Sequence, residues 1–325
     1  MILFPESIIE YQKQFATEEA CEAALAKIRW PHGFVCPNCD HDDGYQLTDR
    51  RQIQCVLCRH QTSVTAGTIF HKTHLPLTCW FWIIYQVTQD KGGASATRLA
   101  AQLNRPYKTM WFVLHKIRHA MGQRDEPISL AGLIEFDEAV LGPEARRPTR
   151  IEDEVPGLES VNRPLAKPYG AKAKDGRLRK SVIEVLALVE AERFHAGNVV
   201  LRVLPKKSFE TIREVVQEKV DENQWFRTDA FHSHWVLRQL STNFKLIKSS
   251  DGDGCQALPV VHRVISLLKH YLMGTYFGVS VKYLQLYLNE FCFRFMRREK
   301  QTILPESLLR ACVFALPFNY AELTL

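Results

Sequence analysis

The stretch LIEFDEAVLG, Leu133 to Gly142, decides how the rest of the chain is read. Its Leu, Ile, Phe and Val residues, with carboxylates set between them, predict a strand. Asp137 lies inside it and is either a solvated strand end or one arm of a site. The neighbouring Glu138 points to the opposite side of a regular strand and is read as support for the fold or for the surroundings of such a site.

Working forward, KSVIEVLALVE (Lys180–Glu190) and NVVLRVLP (Asn198–Pro205) predict two more strands, and Ser208 to Glu222 an amphipathic helix. WFRTDA (Trp225–Ala230) is a short strand, His232 to Leu240 a helix, and NFKLIKS (Asn243–Ser249) a strand. The Pro-rich and charged segment 143–180 reads as a basic surface loop. LPVVHRVISLLKHYLMG (Leu258–Gly274) closes the series as a helix with Val261, Val264, Ile265, Leu268 and Leu272 on its buried face. His262, Ser266 and Lys269 form a narrow polar line along it, because seven residues return a helix almost to its starting angle. The order β-β-β-α-β-α-β-α predicts a mixed α/β sheet with helices on its faces.

That order is the one found in a ribonuclease H-like sheet, where the first and fourth strands lie side by side at the centre. Asp137 in the first and Asp229 at the end of the fourth could then share divalent cations, since hard oxygen donors suit Mg²⁺ or Mn²⁺. Paired metals activate an attacking water or 3′-hydroxyl and stabilise the leaving oxygen in phosphodiester displacement. Asp229 has a plainer reading as the cap of the helix that follows it.

Working backward from Leu133, GGASATRLAAQLNRPYKTMWFVLHKIRHAMG has helix-turn-helix proportions: a helix from Ser95 to Leu103, a turn through Asn104, Arg105 and Pro106, and a helix from Lys108 to Met121. Met110, Leu114, Ile117 and Met121 should face a core. Lys108, His115, Lys116 and His119 then point outward, and Arg105, Lys108, Lys116 and Arg118 are the candidate DNA contacts. From Gly92 to Arg124 there are six basic residues and no acidic one, a local excess that fits a phosphate-facing surface or an ordinary solvated helical hairpin. Further back, CPNC (Cys36–Cys39) and CVLC (Cys55–Cys58) stand fifteen residues apart. Two such pairs can place four thiolates around one tetrahedral zinc, a closed and therefore structural site, although disulfides use the same residue type. Thr17 followed by Glu18 and Glu19 predicts an N-cap opening a helix toward Ile28.

The 325 residues, 46% of them hydrophobic, can fill more than one core, and the net charge of +6 is moderate. The first thirty residues lack a signal-peptide pattern and no apolar run is of spanning length, so a soluble, cytoplasmic protein is expected. The nine cysteines are consistent with it, with Cys21, Cys79, Cys255, Cys292 and Cys312 read as reduced thiols. The expected organisation is a helical segment 1–31, a zinc ribbon 32–64, a helical DNA-binding region 65–127, a catalytic domain 130–300 and a C-terminal helical tail 301–325.

In this order RWPHGFVCPNC, CVLCRHQTSVTAGTIFH, LHKIRHAM, IEFDEAVLG, RTDA, VHRVISLLKHYLMGTYFGVS and KYLQLYLNEFCFRFMRR resemble a bacterial insertion-sequence transposase of the zinc-ribbon, ISXO-like group in the DDE superfamily. The resemblance implies a ribonuclease H-like domain that cleaves DNA and transfers strands at terminal inverted repeats with Mg²⁺ or Mn²⁺. It also implies work as a homodimer or higher oligomer on double-stranded DNA in the bacterial nucleoid, with no membrane involved. By position it makes Asp137, Asp229 and His262 the metal-site residues and Lys269 the basic residue beside the DNA. Imidazole in place of a third carboxylate favours Mn²⁺ and predicts activity falling below roughly pH 6.5. His262 could instead act as a general acid or base, or be an exposed bystander. Glu290, with Arg297 seven residues on, is a rival third acid, set second because its segment reads as packing around a buried Glu with an Arg294 partner. Met296 stands where the family leads one to expect Asn. The alternatives are a catalytically inactive transposase that retains DNA binding, and a structure-directed nuclease without preference for particular ends.

Overall fold

Thr17 begins the first long helix as expected: its hydroxyl accepts the Ala20 N–H at 3.2 Å, and α2 (Glu18–Arg29) follows the short α1 (Ile8–Gln14). The computed structural model describes residues 4–141, 183–228 and 258–324, apart from 6, 48–49, 193–194, 205–208, 222–223 and 277–278, together with the strand Phe244–Leu246. The chain divides into two units, Met1–Pro127 with Phe293–Leu325, and Ile128–Cys292. The basic loop 143–180, Asp229, Cys255 and the helix expected at 232–240 lie outside the described residues.

In the first unit β1 (Gly44–Leu47), β2 (Gln52–Cys55) and β3 (Gln61–Thr62) form a small antiparallel sheet. α3 (Leu77–Gln89) starts at Pro76, which has no side chain to cap it. Glu18 of α2 does so instead, its two oxygens accepting the Leu77 and Thr78 N–H groups at 2.9 Å. The helix-turn-helix matches its prediction: Ser95 caps α4 (Ala96–Leu103), Asn104 takes the left-handed conformation at φ 48°, and α5 (Tyr107–Asp125) follows. Asn is among the few side chains that tolerate that conformation.

α5 is not the one-sided helix that its pattern predicts. Met110, Leu114, Ile117 and Met121 are buried as expected, but so are Val113, His115, Lys116, Arg118 and Ala120. The C-terminal helix Leu304–Phe314 (α9 below) packs against α5, α3 and α2, and Leu308, Leu309 and Cys312 join the same core as Trp80, Phe81 and Met110. Helix Leu304–Phe314 of the expected C-terminal helical tail 301–325 is therefore part of this helical core, and the division between the two units falls between Cys292 and Phe293.

The second unit carries the mixed sheet. β4 (Leu133–Leu141), β5 (Ile183–Glu192) and β6 (His195–Leu204) pair antiparallel in sequence. After α6 (Phe209–Lys219) comes β7 (Trp225–Thr228), parallel to β4, and then β8 (Phe244–Leu246), parallel to β7. The order is β6-β5-β4-β7-β8, so the strand that bears Asp137 is central and lies beside the strand that leads to Asp229. Period-two alternation gives the sheet two faces. Ile134, Phe136, Leu186, Leu188 and Phe226 pack with Ile212 and Val216 of α6. The other face, with Glu135, Asp137 and Ala139, is covered by α7 (Pro259–Tyr276), which packs on β4, β5 and β6. α8 (Val281–Met296) follows, then α9 (Leu304–Phe314) and the short α10 (Tyr320–Thr324). Gln285 of α8 covers the edge of β6, donating to the Leu201 carbonyl and accepting the Val203 N–H, both at 3.0 Å, which blunts an edge open to strand addition. Among the described residues no helix is long and apolar enough to cross a membrane.

Candidate functional site

Asp137 sits mid-strand on the face that β4 turns toward α7. One carboxylate oxygen accepts the Glu138 N–H at 2.8 Å, which fixes the side chain's rotation. The other lies 3.2 Å from His262 Nε2, and both side chains keep access to solvent, 18% for Asp137 and 34% for His262. Two residues 125 positions apart in sequence are thus in contact. Donors on adjacent corners of an octahedral Mg²⁺ or Mn²⁺ site stand about 3.0 Å apart, so this oxygen and nitrogen fit one shared cation. Among the described residues no third His, Cys, Asp or Glu donor joins the pair.

The helix that brings His262 there is set by a residue the sequence reading passed over. Glu135, fully buried, accepts the N–H groups of Val260 and Val261 through Oε2, both at 2.8 Å, and Arg227 Nη1 through Oε1 at 3.2 Å. A signal was present, since a Glu between Ile134 and Phe136 in a central strand must be paired if it is buried. Its partners were not.

Lys269 and Ser266 are exposed and continue the polar stripe from His262 along α7, while Val261, Val264, Ile265, Leu268 and Leu272 are buried. Glu290 is 1% exposed, beside the Tyr276 hydroxyl at 3.5 Å in an aromatic nest with Tyr271 and Tyr287. Arg297, the other half of that rival pair, is held by both Asp125 oxygens at 2.6 and 2.9 Å and stacks over Phe293. Arg294 donates to the Asp90 carbonyl. Glu290 and Arg297 therefore have packing partners, and Glu290 does not share the Asp137 and His262 donor cluster.

The four ribbon sulfurs converge. Cys36, Cys39, Cys55 and Cys58 Sγ lie within 4.8 Å of one another, with Cys36 to Cys58 and Cys39 to Cys55 each 3.6 Å. A tetrahedral zinc at about 2.3 Å sets its sulfurs about 3.8 Å apart, so the cluster fits zinc, and all four cysteines are free thiols. The two knuckles share one backbone plan: the first Cys accepts at its carbonyl from Asp40 or Arg59, and its N–H donates to the His41 or His60 carbonyl. Asp40 and Arg59 both take positive φ, 58° and 64°. The His60 backbone N–H brings the Cys58 thiol down to about 6. At Cys39 the His41 N–H acts the same way, but the hydrogen bond with the Cys58 sulfur and burial outweigh it and hold that thiol at about 12.

The expected DNA surface on α5 needs correction. Lys116 is buried, its ammonium donating to the Ile69 carbonyl at 2.9 Å and lying 5.1 Å over the Phe112 ring, and burial pulls its pKa down. Arg118 is 1% exposed. Neither is on the outside, because α5 is enclosed on the faces that periodicity had assigned to solvent. His119 stacks on Phe318 at 4.3 Å and is likewise lowered by burial. Asn104, Arg105, Tyr107 and Lys108, at the turn and first turn of α5, are exposed.

Two family models match the chain: a transposase zinc-ribbon domain over residues 16–61 and an ISXO2-like transposase domain over residues 129–296, just over half of the sequence. No curated protein matches it. Solved structures similar to it include the Mos1 strand transfer complex, at 12% identity over 70% of this chain and 75% of that one with a TM-score of 0.33. A Mos1 transposase paired-end complex with the left transposon end is similar at 12% identity over 70% and 76%, with a TM-score of 0.31. The assignment rests on the family matches, with the four-cysteine cluster and the mixed sheet agreeing with them. The chain belongs to the ISXO2-like transposases, a DDE-superfamily family of DNA transposases, and carries their zinc ribbon at its N-terminal side.

Proposed function

We propose that this transposase binds the terminal inverted repeats of its insertion sequence and catalyses metal-dependent strand cleavage and strand transfer with Asp137, Asp229 and His262. The observation that carries the reading is the 3.2 Å approach of His262 Nε2 to Asp137 Oδ2, which gives a carboxylate and an imidazole one open edge. Asp229 follows β7, the strand paired with β4, by one residue in sequence, which supports its place as the second carboxylate. Divalent cations held there would supply Lewis-acid activation of the attacking hydroxyl and charge stabilisation at the leaving oxygen. Asp137 is held in one rotamer by the Glu138 N–H, and His262 is held by the first turn of α7, so the chain's contribution is orientation. Lys269, exposed on the same stripe, lies on the side a DNA phosphate would approach.

For recognition, Arg105 and Lys108 flank the exposed start of α5, where a helix N-terminus favours phosphate. The zinc ribbon, closed by its four sulfurs, is a rigid second reading element. Two transposon ends must meet for strand transfer, so the active species is a dimer or larger on double-stranded DNA.

The test is cleavage and joining of labelled duplexes that carry the repeats flanking the gene, in Mn²⁺ and in Mg²⁺, with Glu290→Ala and His262→Ala beside wild type. Cutting at the repeat end by wild type and Glu290→Ala, with His262→Ala binding but not cutting, is the expected result. A dead Glu290→Ala with an active His262→Ala would transfer the role to Glu290, and binding without cutting in either metal would leave an inactive DNA-binding protein.

A further inference from the structure

We propose that Glu135 and Arg227 are positioning residues, a clamp of one buried carboxylate and one partly exposed guanidinium that sets the metal site by tying together the three elements that lead to it; this rests on reading Asp137, Asp229 and His262 as that site. The register carries the argument. Glu135 stands two residues before Asp137, Arg227 two before Asp229, and Val260 two before His262. Glu135 and Arg227 are direct partners across β4 and β7, and the Glu135 carboxylate reaches both the Arg227 guanidinium and the Val260 N–H. Two of the three contacts of this carboxylate, Arg227 and Val260, therefore lie two residues behind a candidate metal-site residue, and the third, Val261, lies one behind His262.

Hydrogen bonding in the first turn of α7 explains why a carboxylate is needed. Leu258 precedes the helix, its carbonyl accepts the His262 N–H at 3.1 Å, and its side chain has no group to cap with. Pro259 has no N–H to satisfy. The two remaining donors, on Val260 and Val261, both go to Glu135 Oε2 at 2.8 Å. The helix thus begins at a fixed height and rotation over β4, and the residue after Val261 is His262. The N-terminal partial charge of α7 and the Arg227 cation together offset the buried negative charge of Glu135. With both oxygens engaged below the site, Glu135 is not itself a metal ligand. Loss of the clamp lets α7 shift over the sheet, and a displacement of about 1 Å from reacting geometry costs on the order of 10²-fold in rate.

The experiment uses the full chain and follows Mn²⁺ affinity by electron paramagnetic resonance, beside DNA affinity, single-turnover cleavage rate, zinc content and thermal midpoint. Asp137→Asn should abolish Mn²⁺ binding at the site. Glu135→Ala and Arg227→Met should raise the Mn²⁺ Kd by about tenfold or more, as loss of a supporting residue does, and lower the cleavage rate at saturating DNA, with DNA affinity and zinc content unchanged. Glu135→Gln keeps a carbonyl oxygen for Val260 and Val261 and should recover part of both losses; it and Arg227→Met carry the test if Glu135→Ala does not fold. If Asp137→Asn abolishes binding while the folded Glu135 and Arg227 variants bind Mn²⁺ and cleave as wild type does, the clamp is overturned. If Asp137→Asn itself binds Mn²⁺ normally, the metal-site reading fails and the clamp has no site to position.

Discussion

The four ribbon sulfurs come from two short knuckles of one small sheet, whereas Asp137 and His262 come from a strand and a helix that meet only through tertiary structure. The first set is soft, complete and closed: four thiols can fill a tetrahedral shell and leave no place for water or substrate. The second is harder, two-sided and open, with both side chains partly in contact with solvent. A closed set binds an ion for folding, and an open set leaves places for reacting oxygens. One chain thus carries a closed four-thiol cluster and, in the function proposed above, an open carboxylate-imidazole site, and each should break in its own way.

The largest effect is expected in the ribbon. Cys55→Ser removes a buried ligand and should withdraw binding energy on the order of 10 kcal/mol. Zinc content should fall from one per chain to near zero and proteolysis should open residues 32–64, with Mn²⁺ binding in the other unit unchanged. Next, Asp137→Asn should reduce cleavage by on the order of 10³-fold, about 4 kcal/mol of transition-state stabilisation, at constant zinc content and DNA affinity; single-turnover kinetics would report it. His262→Ala should weaken Mn²⁺ binding by roughly 10- to 100-fold and leave the thermal midpoint of the zinc ribbon where it was. Smallest is a pair on α5: Lys108→Met should weaken DNA binding and lower the salt slope by about 1. Lys116→Met should leave DNA binding alone and cost about 1 kcal/mol of stability through its lost bond to the Ile69 carbonyl, as read by denaturant unfolding.

Much of this was legible because the signals were local. The paired cysteines, Ser95 and Asn104 at the ends of α4, Thr17 at the start of α2 and the apolar face of α7 each depend on neighbours within one or two turns. The errors came where a distant segment intervened. Periodicity assigned Lys116 and Arg118 to solvent, and α9, arriving from residue 304 onward, helped close the core around α5. Glu135 read as one more polar residue of a strand because Arg227 and Val260, 92 and 125 residues away, gave it no local mark. His262 and Glu290 each had a basic residue seven positions on, so spacing could not separate them; the 3.2 Å approach of His262 to Asp137 supports the proposal that favours His262.

The most direct measurement is pulsed electron paramagnetic resonance on the zinc-loaded full chain with one equivalent of Mn²⁺, read for nitrogen coupling from a coordinated imidazole. The account predicts coupling in wild type and in Glu290→Ala, its disappearance in His262→Ala, and loss of bound Mn²⁺ in Asp137→Asn. Mn²⁺ bound through Asp137 with no nitrogen coupling in wild type, or coupling that survives His262→Ala, would contradict it.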